Sequence, residues 1–192
     1  MKTAAFSTLV ICGLDELDEH AARGVTHVLS ILDPEWPEPE AFLAFDPHHR
    51  ATLRFHDAIL PAPGLMLPER SHVEKILAFG RDVGDVTHLL IHCHAGISRS
   101  TAAMLMILAQ ARPDEREDLV ADRLVAIRPQ AWPNSRMIGF ADELLGRQGR
   151  LLAAVARIYA RRLEVLPEYG QLMLRGNRGW EVEMGLAVKQ AL

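Results

Sequence analysis

Nine consecutive residues, 92–100 (HCHAGISRS), constrain this chain more than any other stretch. Before them, residues 87–92 (THLLIH) form a near-continuous apolar run, as in a strand covered on both faces. After them, residues 98–111 are apolar almost all round, the pattern of a helix buried in the middle of a domain. A strand that ends at Cys93, turns through a loop containing Gly96 and opens a helix near Ser98 puts a thiol at the C-terminal edge of a sheet. Ligands of α/β domains bind at that edge. A tight strand–loop–helix turn also aims several backbone N–H groups at one point, backed by the helix N-terminus, which makes an anion site. Such surroundings favour a thiolate over a thiol. Arg99 adds a planar fork that can hold two oxygens of a tetrahedral oxyanion.

The remaining elements follow from periodicity and breakers. Strands are expected over residues 6–12, 25–32 and 52–55, a short helix over 15–23 closed by Gly24, and helices over 69–83, 114–127, 134–145 and 150–166. Asn134 is the expected N-cap of the 134–145 helix. Residues 56–68 hold Pro61, Pro63, Gly64 and Pro68 and must be a loop. Strands alternating with helices in the first half, and helices alone in the second, predict a single layered α/β domain. Its small, mostly parallel central sheet would be flanked by helices, with the 92–100 loop between a strand and a buried helix.

The 192 residues carry a net charge of −4, the wrong sign for a non-specific nucleic-acid footprint, so no nucleic-acid partner is expected. No run approaches the roughly 18 apolar residues of a membrane span. The apolar N-terminal stretch runs into Asp15 and Glu16 without a cleavage pattern, so it reads as a buried strand rather than a signal peptide. Cys12 and Cys93 are too few and too far apart for a disulfide scaffold; a reducing cytoplasm would keep both as thiols. Cys12 reads as a core residue of the first strand.

With Cys93, Gly96, Arg99 and the flanking His92 and Ser100 in place, the stretch resembles the signature loop of the protein tyrosine phosphatase superfamily, His-Cys-x5-Arg-Ser/Thr. The order of elements to about residue 145 is similar to that of a compact dual-specificity phosphatase. The resemblance implies a metal-independent phosphoric monoester hydrolase with no cofactor. Cys93 would be the nucleophile and would form a phosphocysteine; residues His94, Ala95, Gly96, Ile97, Ser98 and Arg99 would bind the phosphate. It further implies that His92 orders the loop and helps hold the thiolate, and that Ser100 eases thiolate departure in the second step.

The family also needs a general acid on an upstream loop. Asp57 follows a strand, opens the proline-rich loop and lies 93 − 57 = 36 residues before Cys93, a spacing typical of that family. Asp33 and Asp46 are less well placed, and Asp82 and Asp85 sit at a helix end beside the next strand. The segment RPQAWPNS, 128–135, matches the region where these phosphatases enter their penultimate helix, but no chemistry follows from it alone. The loop lacks the lysines common in inositol-lipid phosphatases of the family.

The expected substrates are therefore phosphorylated proteins or small phosphomonoesters, phosphotyrosine first and phosphoserine or phosphothreonine second. A phosphoinositide, an inositol phosphate or an RNA 5′-phosphate is the alternative within the same chemistry. A phosphate-binding pseudophosphatase and a rhodanese-like or arsenate-reducing protein are the rival classes. His92 and His94 with Asp57 or His56 could form a metal site, but a metal would occupy the pocket that Gly96 and Arg99 imply for an anion. Residues 1–146 make the expected phosphatase domain. Residues 147–192 make a helical extension, whose apolar Trp180, Met184, Leu186 and Val188 fold back on the domain or meet another subunit. Arg147, Arg150, Arg157, Arg161 and Arg162 read as a solvated charged face.

Overall fold

The computed structural model describes residues 8–83 and 88–190. Its sheet has four strands, β1 (Thr8–Cys12), β2 (His27–Leu32), β3 (His49–Arg54) and β4 (His88–His92). They run in the order β1-β4-β2-β3, every pair parallel. Parallel neighbours need crossovers. Two of them are short 3₁₀ turns, Leu14–His20 after β1 and Glu40–Ala44 after β2; the third is helix α1 (Arg70–Asp82), after β3. Further helices follow β4: α2 (Arg99–Ala111), α3 (Glu117–Ile127), α4 (Ser135–Leu144), α5 (Arg150–Val165), α6 (Glu168–Arg175) and α7 (Gly179–Gln190).

Strand β4 lies between β1 and β2, and its side chains alternate between two cores. Leu89 and Ile91 face the main core with Ile11, Leu29 and Ile31, under the helices. Leu90 faces a smaller cluster with Cys12, Leu17, Val25 and Val28, under the 3₁₀ turns. Each such side chain contributes roughly 1.5–3 kcal/mol of burial, so the strand cannot slip by one residue without exchanging its faces. Helix α2 is buried without a break from Arg99 to Ala109, with α1, α3, α4 and the sheet around it. This is the small parallel sheet with a buried helix after β4 that periodicity predicts.

Several expectations are corrected. The expected helix over 15–23 is a 3₁₀ turn ending at His20, with Gly24 in the left-handed region at φ +65°. The third strand begins at His49, earlier than its sequence shows, because polar His49 and Arg50 lie on the edge strand. Asn134 does cap α4, its side chain accepting from Met137 N at 3.1 Å. Phe6, Asp85 and Thr87 lie outside the described residues. Arg147 is not solvated: it is buried, and its guanidinium donates to the carbonyls of Ala109, Arg112 and Pro113 at 2.6–3.1 Å and pairs with Glu117. It thereby satisfies carbonyls that the end of α2 leaves without partners.

Helix α6 carries a 3.6-residue apolar stripe, whereas α7 carries no strong one in the sequence. Helix α7 packs along α5, close enough that a Cβ on Gly185 would stand 2.9 Å from Tyr159 Cβ and 3.1 Å from Ala160 N. In an open helix Gly185→Ala would stabilise by about 1 kcal/mol through propensity. Here it must push α7 off α5, at a cost of about 1–3 kcal/mol. The variant should therefore melt below the wild type; a higher melting temperature would mean that the two helices do not meet this closely.

Candidate active site

Three strand ends meet at the C-terminal edge of the sheet: Cys12–Gly13 from β1, Asp33 from β2 and Cys93 from β4. Between Cys93 and the first turn of α2 the loop folds around Gly96, which has φ +67°. A Cβ there would lie 2.5 Å from Cys12 C and 2.7 Å from Gly13 N. Glycine is thus required twice, for conformation and for close approach to a backbone that cannot move aside.

The carbonyl oxygens of residues 94–98 are all engaged. His94 O accepts from Leu14 N at 2.9 Å, and Ala95 O and Gly96 O accept from the Arg128 guanidinium at 3.3 and 3.0 Å. Ile97 O accepts from Trp132 N at 2.9 Å, and Ser98 O from Ala102 N at 2.9 Å and Asn134 N at 3.4 Å. Arg128 is itself fixed by a two-point pair with Glu16 at 3.0 and 2.7 Å, and Glu16 also accepts from Gly13 N. With the carbonyls turned outward, the N–H groups turn the other way. None of those in residues 95–98 donates to a protein acceptor among the described residues. Converging amides of this kind form an anion-binding concavity.

Cys93 lies at its base, 2 % exposed, with its Sγ 3.2 Å from Ser100 Oγ. Arg99 is 3 % exposed, and its NH1 donates to Asp33 Oδ1 and to Phe55 O, both at 2.6 Å. Its Nε is buried and has no partner among the described residues. One corner of the guanidinium is thus anchored, and the Nε edge remains as a donor. His92 is fully buried with its Nε2 2.7 Å from Ser30 Oγ. His94 stands at the rim, its ring 4.4 Å from that of half-exposed Trp36, its Nε2 accepting from Asp33 N at 3.2 Å. Beside it a cleft of about 490 Å³ opens between Leu14, Asp15, Trp36 and Arg128.

Asp57 reaches the far end of the loop. Its Oδ1 accepts three hydrogen bonds, from Ser98 Oγ at 2.8 Å, Asn134 Nδ2 at 2.9 Å and Arg178 NH1 at 3.1 Å. Protein atoms crowd the carboxylate, yet 31 % of its side chain still meets solvent. The crowding works to raise its pKa; Arg178 and then Arg99 outweigh it, and Asp57 is held below the ordinary carboxylate range. Asp33, Asp46 and Asp82 do not share this position. Asp33 is instead the ion-pair partner of Arg99. His56 turns away, accepting from Met66 N at 2.9 Å. Cys12 lies under the loop, its thiol pushed up to about 12, chiefly by burial and then by Glu16.

Sequence reasoning missed the parts played by Arg128, Asp33, Arg178 and Glu181. Arg128 lies in a segment whose sequence stands out without revealing its use. For Arg178 there is no local signal: it reaches Asp57 from 121 residues away in the chain.

No protein-family model matches the sequence, and no curated protein matches it. Solved structures do match. Human DUSP28 is 18 % identical with a TM-score of 0.52, covering 72 % of this chain and 94 % of that one. DUSP15 is 21 % identical with a TM-score of 0.52, covering 80 % and 91 %. PTPMT1, solved in complex with PI(5)P, is 14 % identical with a TM-score of 0.51, covering 73 % and 91 %. The chain has the dual-specificity phosphatase fold. At these identities the likeness is one of fold, and the chemistry must be argued from this chain's own residues.

One consequence of this phosphatase fold is a buried histidine in the strand that leads to the loop. Burial first, with Arg50 also contributing, lowers the pKa of His92 from 6.5 to about 4, although the Cys93 backbone opposes the shift. Between those values the unfolded chain binds a proton that the folded chain does not. Stability therefore rises with pH across pH 4–6.5, by roughly 3 kcal/mol in all, and this contribution is level above that window. In urea titrations at stepped pH, His92→Asn should flatten this part of the profile. An unaltered slope would mean that His92 does not stay neutral in the folded chain.

Proposed function

We propose that this chain is a cysteine-dependent phosphatase that hydrolyses phosphate monoesters through a phosphocysteine, with phosphotyrosine as its leading substrate and phosphoserine or phosphothreonine as further ones. The observation that carries this reading is the loop itself. The carbonyls of residues 94–98 are held by other donors, and the amides of residues 95–98 have no protein acceptor among the described residues. The Arg99 Nε is likewise without a partner there, which supports a site where these donors meet an anion beside Cys93. A phosphate seated there presents its phosphorus to Sγ and its equatorial oxygens to those donors, where transition-state charge develops.

In the first step Cys93 Sγ forms a bond to phosphorus as the bond to the leaving oxygen breaks, and Asp57 gives that oxygen its proton. In the second step water attacks the phosphocysteine, Asp57 takes up the water's proton, and the S–P bond breaks to release inorganic phosphate and the thiolate. Ser100 Oγ, 3.2 Å from Sγ, donates to the sulfur as it regains charge. His94 and Trp36 form the rim that meets the organic part of the substrate. The neighbouring cleft offers Asp15 and a Glu16 already paired with Arg128, which suits an aryl or peptidyl group better than a polyanionic headgroup.

Cys93→Ser should abolish turnover while still binding the phosphate analogue vanadate, since the alcohol is a poor nucleophile but the loop donors remain. Residual turnover above a trace would sink the covalent mechanism. Asp57→Asn should slow phosphotyrosine hydrolysis by about 10²–10⁴ and affect a highly activated aryl phosphate far less, because an activated leaving group departs without a proton. Asp33→Asn, which loosens Arg99, should instead slow both substrates alike. A selective loss for Asp33→Asn, with small equal losses for Asp57→Asn, would transfer the acid's role to Asp33.

A further inference from the structure

Residue 178 belongs to the turn between α6 and α7, more than 30 residues past the end of α4, whose N-cap Asn134 meets the loop. Its guanidinium is nevertheless buried at the loop's edge. NH1 donates to Asp57 Oδ1 at 3.1 Å, NH2 to Ser98 Oγ at 3.1 Å, and Nε and NH2 grip the two oxygens of Glu181 at 2.7 and 2.8 Å. Glu181, on the first turn of α7, is wholly buried, and it also accepts from Trp132 Nε1 at 2.6 Å and Ser135 N at 2.8 Å. The carboxylate that holds Arg178 is therefore fixed in turn by the connection between α3 and α4 and the first residue of α4.

All three donors to Asp57 converge on Oδ1, and Oδ2 has no hydrogen-bond partner among the described residues. We propose that Arg178 is a positioning residue for Asp57: with Ser98 and Asn134 it pins Oδ1, leaves Oδ2 to carry the proton, and so makes the C-terminal segment a working part of the active site. The proposal rests on the reading of Asp57 as the general acid.

The charge arrangement gives this a measurable signature. Facing Asp57 are Arg99 and His94 from the loop, Arg178 and Glu181 from the α6–α7 turn and α7, and the phenols of Tyr159 on α5 and Tyr169 on α6. Both phenols are pushed up, first by burial, and stay neutral in any assay below pH 10. His94 is shifted down, by burial and then Arg99. Arg178 is the largest of the influences that favour the Asp57 carboxylate. An acid held below its ordinary range loses its proton as pH rises through that low value, so phosphotyrosine turnover should already be falling on the acid side. Taking Arg178 away should let Asp57 keep its proton to higher pH.

Removing Arg178 alone would leave Glu181 charged and buried, so the test uses Arg178→Gln together with Glu181→Gln. The pair then stays neutral, and the new side-chain amide at position 181 can still accept from Trp132. In the full chain the basic limb of kcat/KM for phosphotyrosine should move to higher pH, and Glu181→Gln alone should not move it upward. In the Asp57→Asn background the double change should move nothing. A uniform fall in rate at every pH, with the limb unmoved, would overturn the proposal and leave Arg178 a purely structural group. A second readout survives even if the double variant does not fold. The Asp57 carboxyl carbon, followed by NMR in the wild type, should titrate below the ordinary carboxylate range. An ordinary midpoint would refute the proposal. Failure of the general-acid reading shows separately, as Asp57→Asn without a selective loss on phosphotyrosine.

Discussion

Backbone amides do not converge unaided. Turning several N–H dipoles toward one point turns their carbonyls away from it, and those carbonyls must be satisfied elsewhere. In this chain the donors are Leu14 N, the Arg128 guanidinium, Trp132 N and the first turn of α2, which between them take the oxygens of residues 94–98. The left-handed Gly96 lets the loop close on the Cys12–Gly13 backbone. Each of these contacts comes from a different part of the chain, so the cup over Cys93 exists only when the sheet, the first 3₁₀ turn and the 128–134 segment are all in place.

The same economy of parts governs the charged groups. Arg99 is one guanidinium shared between a fixed corner, on Asp33 and Phe55 O, and a free Nε edge. The fixed corner is supplied by the residues just after β2 and β3, and the parallel order β1-β4-β2-β3 sets the end of β2 beside the end of β4. A rearranged strand order would keep every residue of the signature and lose this anchoring.

Asp57, Arg178 and Glu181 form a line of alternating charge running inward from the loop to buried Trp132. Burying charges contributes little net stability, because desolvation offsets much of the attraction. Their value is geometric: each oxygen and nitrogen has a particular partner, so the carboxylate beside Ser98 has one orientation. Close packing of α7 on α5 at Gly185 carries Glu181 to its place and supports Arg178.

The local sequence determined the parts whose cause is local. An apolar strand, a glycine, an arginine and a buried helix, following one another without a break, specify a thiol at a strand end with a tight loop leading into a buried helix, and alternation in β4 and the turn chemistry around it specify a layered α/β domain. Asn134 was legible as a cap because capping is a contact between near neighbours. Only the tertiary structure decided which distant groups complete the site. Asp33 against Arg99, Arg128 on the loop carbonyls and Arg178 on Asp57 are contacts across 66, 32 and 121 residues. No periodicity records them, and a polar residue at a strand end or in a helix turn has the same sequence signature whether it meets water or a buried partner. Arg147 shows the point most simply: in sequence it is one of a row of arginines, and its burial follows from where α2 ends and α5 begins.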